Sequence, residues 1–348
     1  MNTADDQIHD GEWVMSEEGE QKCRWAFDGP DGPEGVAFRG PPLNQYVCPS
    51  MFRDLSDWVF TFPFNHFGEK VEVPPLSEIV DCLRPGAIIY SQTGPHLDQF
   101  ASDVAPLLKH KFILVTGQSD YWATQWGRSI LDSPNLIKWF AQNPDIVHPK
   151  LEVIPIGINC FEHAPELHAF RSGLGAEPRA GPKAVPHMLS PASNPQAPIA
   201  VANFNPKTHP SRQELLDSVC DKGWVHCKGK TVQNRTKGNP HLTALYESLS
   251  EYPLWLSPRG NGLDCHRQWE AIYAGRIPVM EHSLLDPLFE REDFPVILVE
   301  SLLDVDETVL RKKTDDLVAR EWPRVTLFRP YWRRLLEITR RKALGLNV

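Results

Sequence analysis

The sequence predicts an α/β protein built from two Rossmann-like, doubly wound domains that face a cleft. Three observations carry this prediction. Short apolar runs rich in β-branched and aromatic residues alternate with helical patterns, which implies parallel sheets. The alternation stops at a proline-rich stretch and then restarts. At 348 residues the chain is also long for a single core.

The elements follow in order. Residues 1–45, with Asp28-Gly29-Pro30-Asp31-Gly32-Pro33 among them, hold turn formers and little periodicity and are expected to form an irregular arm. An N-terminal domain is expected over 46–171, with order beginning near Trp58, helices at 76–82 and 99–108, and strands at 87–90, 112–115 and 151–155. Six prolines between 172 and 198, in a stretch poor in large apolar residues, mark an exposed linker. The C-terminal domain, 199–322, repeats the alternation: strand 199–204, helix 211–220, strand 224–227, helix 241–250, strand 254–256, a helix after Asp264, then strands ending at Met280 and Val299. A terminal helical segment occupies most of 323–348, with Trp332, Leu335, Leu336 and Ala343 on its apolar face.

Composition excludes several classes of function. The balance of 45 acidic against 36 basic residues argues against a nucleic-acid partner, which would leave a basic stripe on the surface. The densest basic stretch, Arg333-Arg334 with Arg340-Arg341-Lys342, reads as the solvated face of the last helix. Seven cysteines without a Cys-x-x-Cys indicate neither a zinc site nor a disulfide framework. Cys220 and Cys227 flank a helix-to-strand connection and can meet, although small buried hydrophobes are expected there. The acidic, polar start is unlike a secretory signal, and no apolar run is long enough to cross a bilayer. The chain as written is therefore expected to be soluble, without a membrane segment, and cytoplasmic by default. Removal of an anchor would instead point to an endomembrane or Golgi location.

The most informative stretch is SPRGNGLDCHRQWEAIYAGRIPVM, residues 257–280. It lays the end of a buried strand, a glycine-bearing turn, a helix and a second strand end to end. Arg259-Gly260-Asn261-Gly262 permits a tight turn, and Asp264 is placed to cap the helix with its side-chain oxygen. The first N–H groups of that helix lack intrahelical partners and carry the positive end of its dipole, which suits a phosphate anion. Arg267 and Glu270 stand three residues apart on one helical face, with about 4.5 Å of rise between them. A cation near a diphosphate and a carboxylate near ribose hydroxyls fit that separation; so does an ordinary surface ion pair. Arg259 either reaches the diphosphate or extends from the strand end into solvent, and His266 reads as structural. Arg212 and Lys207, in the loop and first helical turn after strand 199–204, offer cations to the same phosphates or are solvated surface charge.

The same stretch resembles the signature of exostosin-like glycosyltransferases, in which Pro-Arg-Gly, an Arg-x-x-Glu-Ala helix and Gly-x-Ile-Pro-Val follow in that order. The segments FILVTGQSDYW at 112–122, IPIGIN at 154–159 and VANFNPKTHPSRQELLD at 201–217 are similar to parts of related sequences, so the resemblance covers about 85–345. Arg276 departs from the pattern, standing where a small or apolar residue is usual.

The resemblance implies a GT-B architecture, a nucleotide-sugar co-substrate, in particular a UDP-sugar, held mainly by the C-terminal half, and a carbohydrate acceptor approached from the N-terminal half. It also implies inverting transfer. Arg267 then stabilises the leaving diphosphate, with Arg259, Gly260, Asn261, Gly262, Asp264, Glu270 and Arg212 binding the donor. Asp120, following Gly117 at the carboxyl end of a strand, is the candidate base, with Asp98 and His96 behind it; as a turn former or cap it would be purely structural. Gly157 and Asn159 end another strand near the expected cleft or simply turn the chain. Asp304-Val305-Asp306 matches a metal-binding Asp-x-Asp, but its place before a helical pattern favours capping, so no metal is expected to be required. A sugar-nucleotide epimerase or hydrolase, or a carbohydrate-binding protein without turnover, are the alternatives.

Overall fold

Leu-Trp-Leu, Phe-Ile-Leu-Val-Thr and runs like them are apolar on both faces, as strands must be when helices cover both sides of a parallel sheet. The structure, a computed structural model, describes residues 7–9, 12–14, 46–60, 80–159, 198–228, 240–320, 322 and 325–348. It contains two five-stranded parallel sheets, consistent with two Rossmann-like domains. The chain divides into two compact units: 1–42, 50–154 and 330–348 form the first, and 43–49 with 155–329 the second. Most of the expected arm and linker lies outside the described residues. An antiparallel pair, β1 (Gln7–His9) and β2 (Glu12–Val14), belongs to the first unit.

The sheet of the first unit runs in chain order: β3 (Trp58–Phe60), β4 (Ala87–Gln92), β5 (Phe112–Gly117), β6 (Leu136–Ala141) and β7 (Leu151–Val153). β5 lies at the centre and is buried along its whole length. Its core includes Trp58, Phe100, Phe112, Leu114 and Trp139. β6 was not foreseen, because Lys138 interrupts its apolar run. That side chain lies along the strand and carries its ammonium to the Pro149 carbonyl at 3.1 Å and to Glu152 at 3.5 Å. The helix expected over 99–108 is instead α1 (His96–Gln99), a π turn over Phe100–Val104 and a 3-10 turn over Ala105–Leu107. Pro106 has no N–H to continue an α-helical ladder.

In the second unit, β8 (Ala200–Ala202), α2 (Pro210–Val219), β9 (Val225–Cys227), α3 (Pro240–Leu249), β10 (Leu254–Leu256), α4 (His266–Tyr273), β11 (Ile277–Glu281), α5 (Asp286–Arg291), β12 (Ile297–Val299) and α6 (Glu307–Val318) follow one another. Strand order is β12-β11-β10-β8-β9. The chain builds outward from β8 to β9, then returns past β8 to add β10, β11 and β12 on the other side. The order therefore reverses between β8 and β10, and ligands of open parallel sheets bind beyond the carboxyl ends of strands at such a switch point.

The last helix, α7 (Arg329–Ala343), belongs to the first unit from Pro330 onward. Arg333, Arg334 and Lys342 are exposed, but Arg340 departs from the expected solvated face. Its side chain is 13% exposed and pairs with Asp57 at 2.9 Å and with Glu337. It also covers Gly86, where a Cβ would lie 2.7 Å from Arg340 Cγ.

The cysteine expectation is corrected by the structure. Cys220 and Cys227 form a disulfide with a Cα–Cα distance of 5.5 Å. The end of α2 and the last residue of β9 come together through the turn between them, a proximity that spacing alone left open. Cys48 and Cys82 each take part in a disulfide as well, and Cys265 keeps its thiol outside any disulfide.

Candidate functional site

The site is built where β8 and β10 end. β10 is buried at all three positions, and the chain leaves it through Ser257-Pro258-Arg259-Gly260. At Gly260 the N–H donates to the Gly262 carbonyl at 3.1 Å and approaches Cys265 Sγ at 2.9 Å. A Cβ at Gly260 would lie 3.0 Å from that sulfur and 3.2 Å from Arg212 Nη2, so the turn leaves room only for glycine without local displacement. Gly262 is buried and Asn261 exposed, its carbonyl accepting from Arg259 Nη2 at 3.2 Å.

α4 starts with Cys265 as its N-cap, and no side chain caps it. This corrects the role expected of Asp264, whose carboxylate turns inward. It accepts from the Ile156 N–H at 2.6 Å, Gln268 Nε2 at 2.6 Å and Trp269 Nε1 at 2.7 Å. Burial pushes the Asp264 carboxyl up to about 7, while those N–H donors oppose the shift. Asp264 thus joins α4 to the segment after β7.

That segment carries Gly157 and Asn159. Gly157 adopts φ +69°, and a Cβ there would lie 2.0 Å from the Val47 carbonyl oxygen. The same carbonyl accepts from the Ile158 N–H at 3.0 Å, and the Val47 N–H donates to the Tyr273 hydroxyl at 2.9 Å. The Gly157 carbonyl lies 2.7 Å from His266 Nδ1. Asn159 is half-buried.

The two arginines of this region do different things. Arg212, on the first turn of α2, is buried. Its Nε donates to the Arg259 carbonyl at 2.7 Å, Nη2 to the Pro258 carbonyl at 3.0 Å and Nη1 to the Asn205 carbonyl at 3.2 Å. It therefore clamps the loops after β8 and β10 together, rather than standing open on the surface. Arg267, on the first turn of α4, is 15% exposed at its side chain and pairs with Glu270 at 3.1 Å, whose side chain is 3% exposed. Its Nη2 lies 3.3 Å from Asn203 Oδ1, and its guanidinium lies over the Trp255 ring, 5.7 Å from the centroid.

Positive charge accumulates here. Burial lowers the Arg212 guanidinium from its ordinary value; Cys265 opposes that shift and the Arg267 charge adds to it. His209 is likewise lowered, first by desolvation and then by Arg259 and Arg212. Arg212, Arg259 and Arg267 thus stand around the turn that leads into α4, with the Arg267 charge partnered by Glu270. Lys207 is exposed in a 3-10 turn after β8.

The other sequence candidates belong to the first unit. Gly117 ends β5, where a Cβ would lie 2.5 Å from Gln142 Cδ. Gln118 follows at φ +57°, and its N–H donates to Gln142 Oε1 at 2.8 Å. Asp120 is exposed in the turn beyond. Asp98 accepts from the Gly127 N–H at 2.9 Å, a structural bond, and His96 is exposed at the start of α1.

Among the described residues, no group of three or more His, Cys, Asp or Glu side chains is placed to hold a metal ion. Asp306 caps α6, accepting from the Val309 N–H at 3.1 Å. No helix of the described residues is long and apolar enough to cross a membrane.

No family model matches the chain, and no curated protein matches it. Solved structures that it is similar to include two crystal structures of α1,3-fucosyltransferase. The one with GDP-fucose is 11% identical, with a TM-score of 0.35 over 80% of this chain and 94% of that one. The one with GDP is also 11% identical, with a TM-score of 0.36 over 76% and 80%. The architecture described above rests on the sheets and their strand order.

Two members of the site escaped sequence reasoning. Asn203 and the face of Trp255 lie 64 and 12 residues from Arg267, and each sits in an apolar run that reads only as strand. The one signal in the sequence was that both runs end where a parallel sheet presents its loops.

Proposed function

We propose that the protein is a glycosyltransferase that moves a sugar from a nucleotide-sugar donor to a carbohydrate hydroxyl without a metal. The observation that carries this reading is the switch point of the second unit. There α4 begins beside a glycine turn, with Arg267 on its first turn and Arg212 and Arg259 close by. A helix N-terminus with guanidiniums beside it at that place in an open sheet suits a diphosphate.

In this reading the bond from the anomeric carbon to the diphosphate oxygen breaks as the acceptor oxygen attacks. Negative charge then grows on the departing diphosphate, and Arg267 with the α4 dipole stabilises it. Glu270, expected to meet the ribose hydroxyls, has a first task of holding the Arg267 guanidinium, given its burial and its 3.1 Å pairing. Arg212 acts by fixing the turn; a general base takes the acceptor proton in an inverting displacement, the role that the sequence suggests for Asp120. The GT-B arrangement, the exostosin-like relationship and the uridine nucleotide belong to the same proposal and rest on the sequence resemblance. The disulfides favour an oxidising compartment over the cytoplasm.

Calorimetric titration of UDP and of GDP into wild type, Arg267→Ala and Glu270→Gln tests the reading. Arg267→Ala leaves the Glu270 charge buried without its partner, so the double variant Arg267→Ala/Glu270→Gln and a melting curve accompany it. Binding of one nucleotide by wild type is expected to weaken about thirtyfold or more without Arg267, a loss of ~2 kcal/mol or greater. Equal affinity in all folded variants would remove the site assignment. Product analysis with and without a carbohydrate acceptor separates transfer from hydrolysis of the donor.

A further inference from the structure

We infer that the side-chain amide of Asn203 is a donor-binding group, its N–H held for a phosphate oxygen of the nucleotide. This inference rests on the nucleotide-sugar reading of the same site. Asn203 is the first residue after β8, at the carboxyl end of the strand where the order of the sheet reverses. It is 7% exposed, and its Nδ2 has no hydrogen-bond partner among the described residues.

The direction of the amide is fixed by its neighbour. Oδ1 accepts from Arg267 Nη2 at 3.3 Å; turned over, the amide would set N–H against N–H. Nδ2 therefore faces away from that bond as an unanswered donor. On Arg267 itself, Nη1 lies 3.1 Å from Glu270 Oε2 at ion-pair distance, yet it too lacks a hydrogen-bond partner of good alignment among the described residues. Two adjacent residues, joined by one hydrogen bond, each keep a buried N–H unanswered. Buried polar groups are nearly always paired, because an unpaired one lowers stability. Two such donors beside a helix N-terminus and clustered guanidiniums have one chemistry in common, which is acceptance by an anionic oxygen.

The test compares stability with binding. Asn203→Asp keeps an oxygen for Arg267 but replaces the amide donor with an acceptor; Asn203→Ala removes both and adds no charge. Thermal melting and calorimetry with UDP and GDP are run on wild type and both variants. The expected result is a tenfold or greater loss of nucleotide affinity in both variants, with Asn203→Asp melting at or above the wild-type temperature. That combination separates a ligand-binding amide from a structural one, whose loss would lower melting.

If wild type binds a nucleotide and both variants bind it equally well, the inference fails and the nucleotide-sugar reading stands. If wild type binds neither nucleotide, both fall. Melting far below wild type in both variants would make Asn203 a structural member and overturn the inference as well.

Discussion

Replacing Arg212 with alanine should destabilise the second unit by about 3–5 kcal/mol. The guanidinium donates to three backbone carbonyls, those of Arg259 at 2.7 Å, Pro258 at 3.0 Å and Asn205 at 3.2 Å. A hydrogen bond to a charged group contributes about 1.5–3 kcal/mol. Three of them give a gross ~4.5–9 kcal/mol, from which the cost of burying a guanidinium subtracts several. A domain of this size loses ~2–4 °C of melting temperature per kcal/mol, so a fall of about 6–20 °C is expected. Circular dichroism melting or differential scanning calorimetry reads it. Arg212→Lys should recover only part of the loss, because an ammonium cannot reach three carbonyls with the geometry of the planar fork. A melting temperature within ~2 °C of wild type for Arg212→Ala would refute the clamp.

Two further outcomes follow from the same structure. Asp264 is raised to about 7 in the folded protein, above its ordinary 3.8, so the folded state binds more protons than the unfolded one between those values. Its contribution to stability is thus fully present below about pH 4 and is lost as pH rises through ~7. The difference in unfolding free energy between wild type and Asp264→Asn, measured by urea titration from pH 4 to 8, should fall by on the order of 4 kcal/mol. A flat difference would mean that the carboxylate is ionised throughout. Reducing the Cys220–Cys227 disulfide, or replacing Cys220 with serine, should cost ~2 kcal/mol, given the short loop that the bond closes. Peptide mapping without reductant should find the two cysteines joined, and finding both alkylated would overturn the assignment.

Much of the second unit was legible because its signals are local. Leu254-Trp255-Leu256 reads as a buried strand from three residues, and Gly260 and Gly262 read as a turn from their own chemistry. The helix bearing Arg267 and Glu270 shows its start through the break in pattern before it. β6 was hidden by one lysine whose ammonium bonds a backbone carbonyl at 3.1 Å. Asp264 was misread because the best partners for its carboxylate, Ile156 and Trp269, come from a distant segment and from one turn inside α4. Arg212 looked like surface charge because the three carbonyls it holds are invisible in any pattern of side chains.

The sequence by itself determined the α/β alternation, the strand–turn–helix at 254–273 and the placing of Arg267 and Glu270 on one helical face, since strand period, turn chemistry and helical spacing act over a few residues; that the two side chains pair with each other came only from the structure. Only the tertiary structure decided that strand order reverses between β8 and β10, that Arg212 holds loops while Arg267 lies over Trp255, and that Cys220 bonds Cys227. Those outcomes depend on which loops a sheet brings side by side. Asn203 and Arg267 meet across 64 residues because two strands are neighbours in space, a relation that neither residue's local sequence encodes.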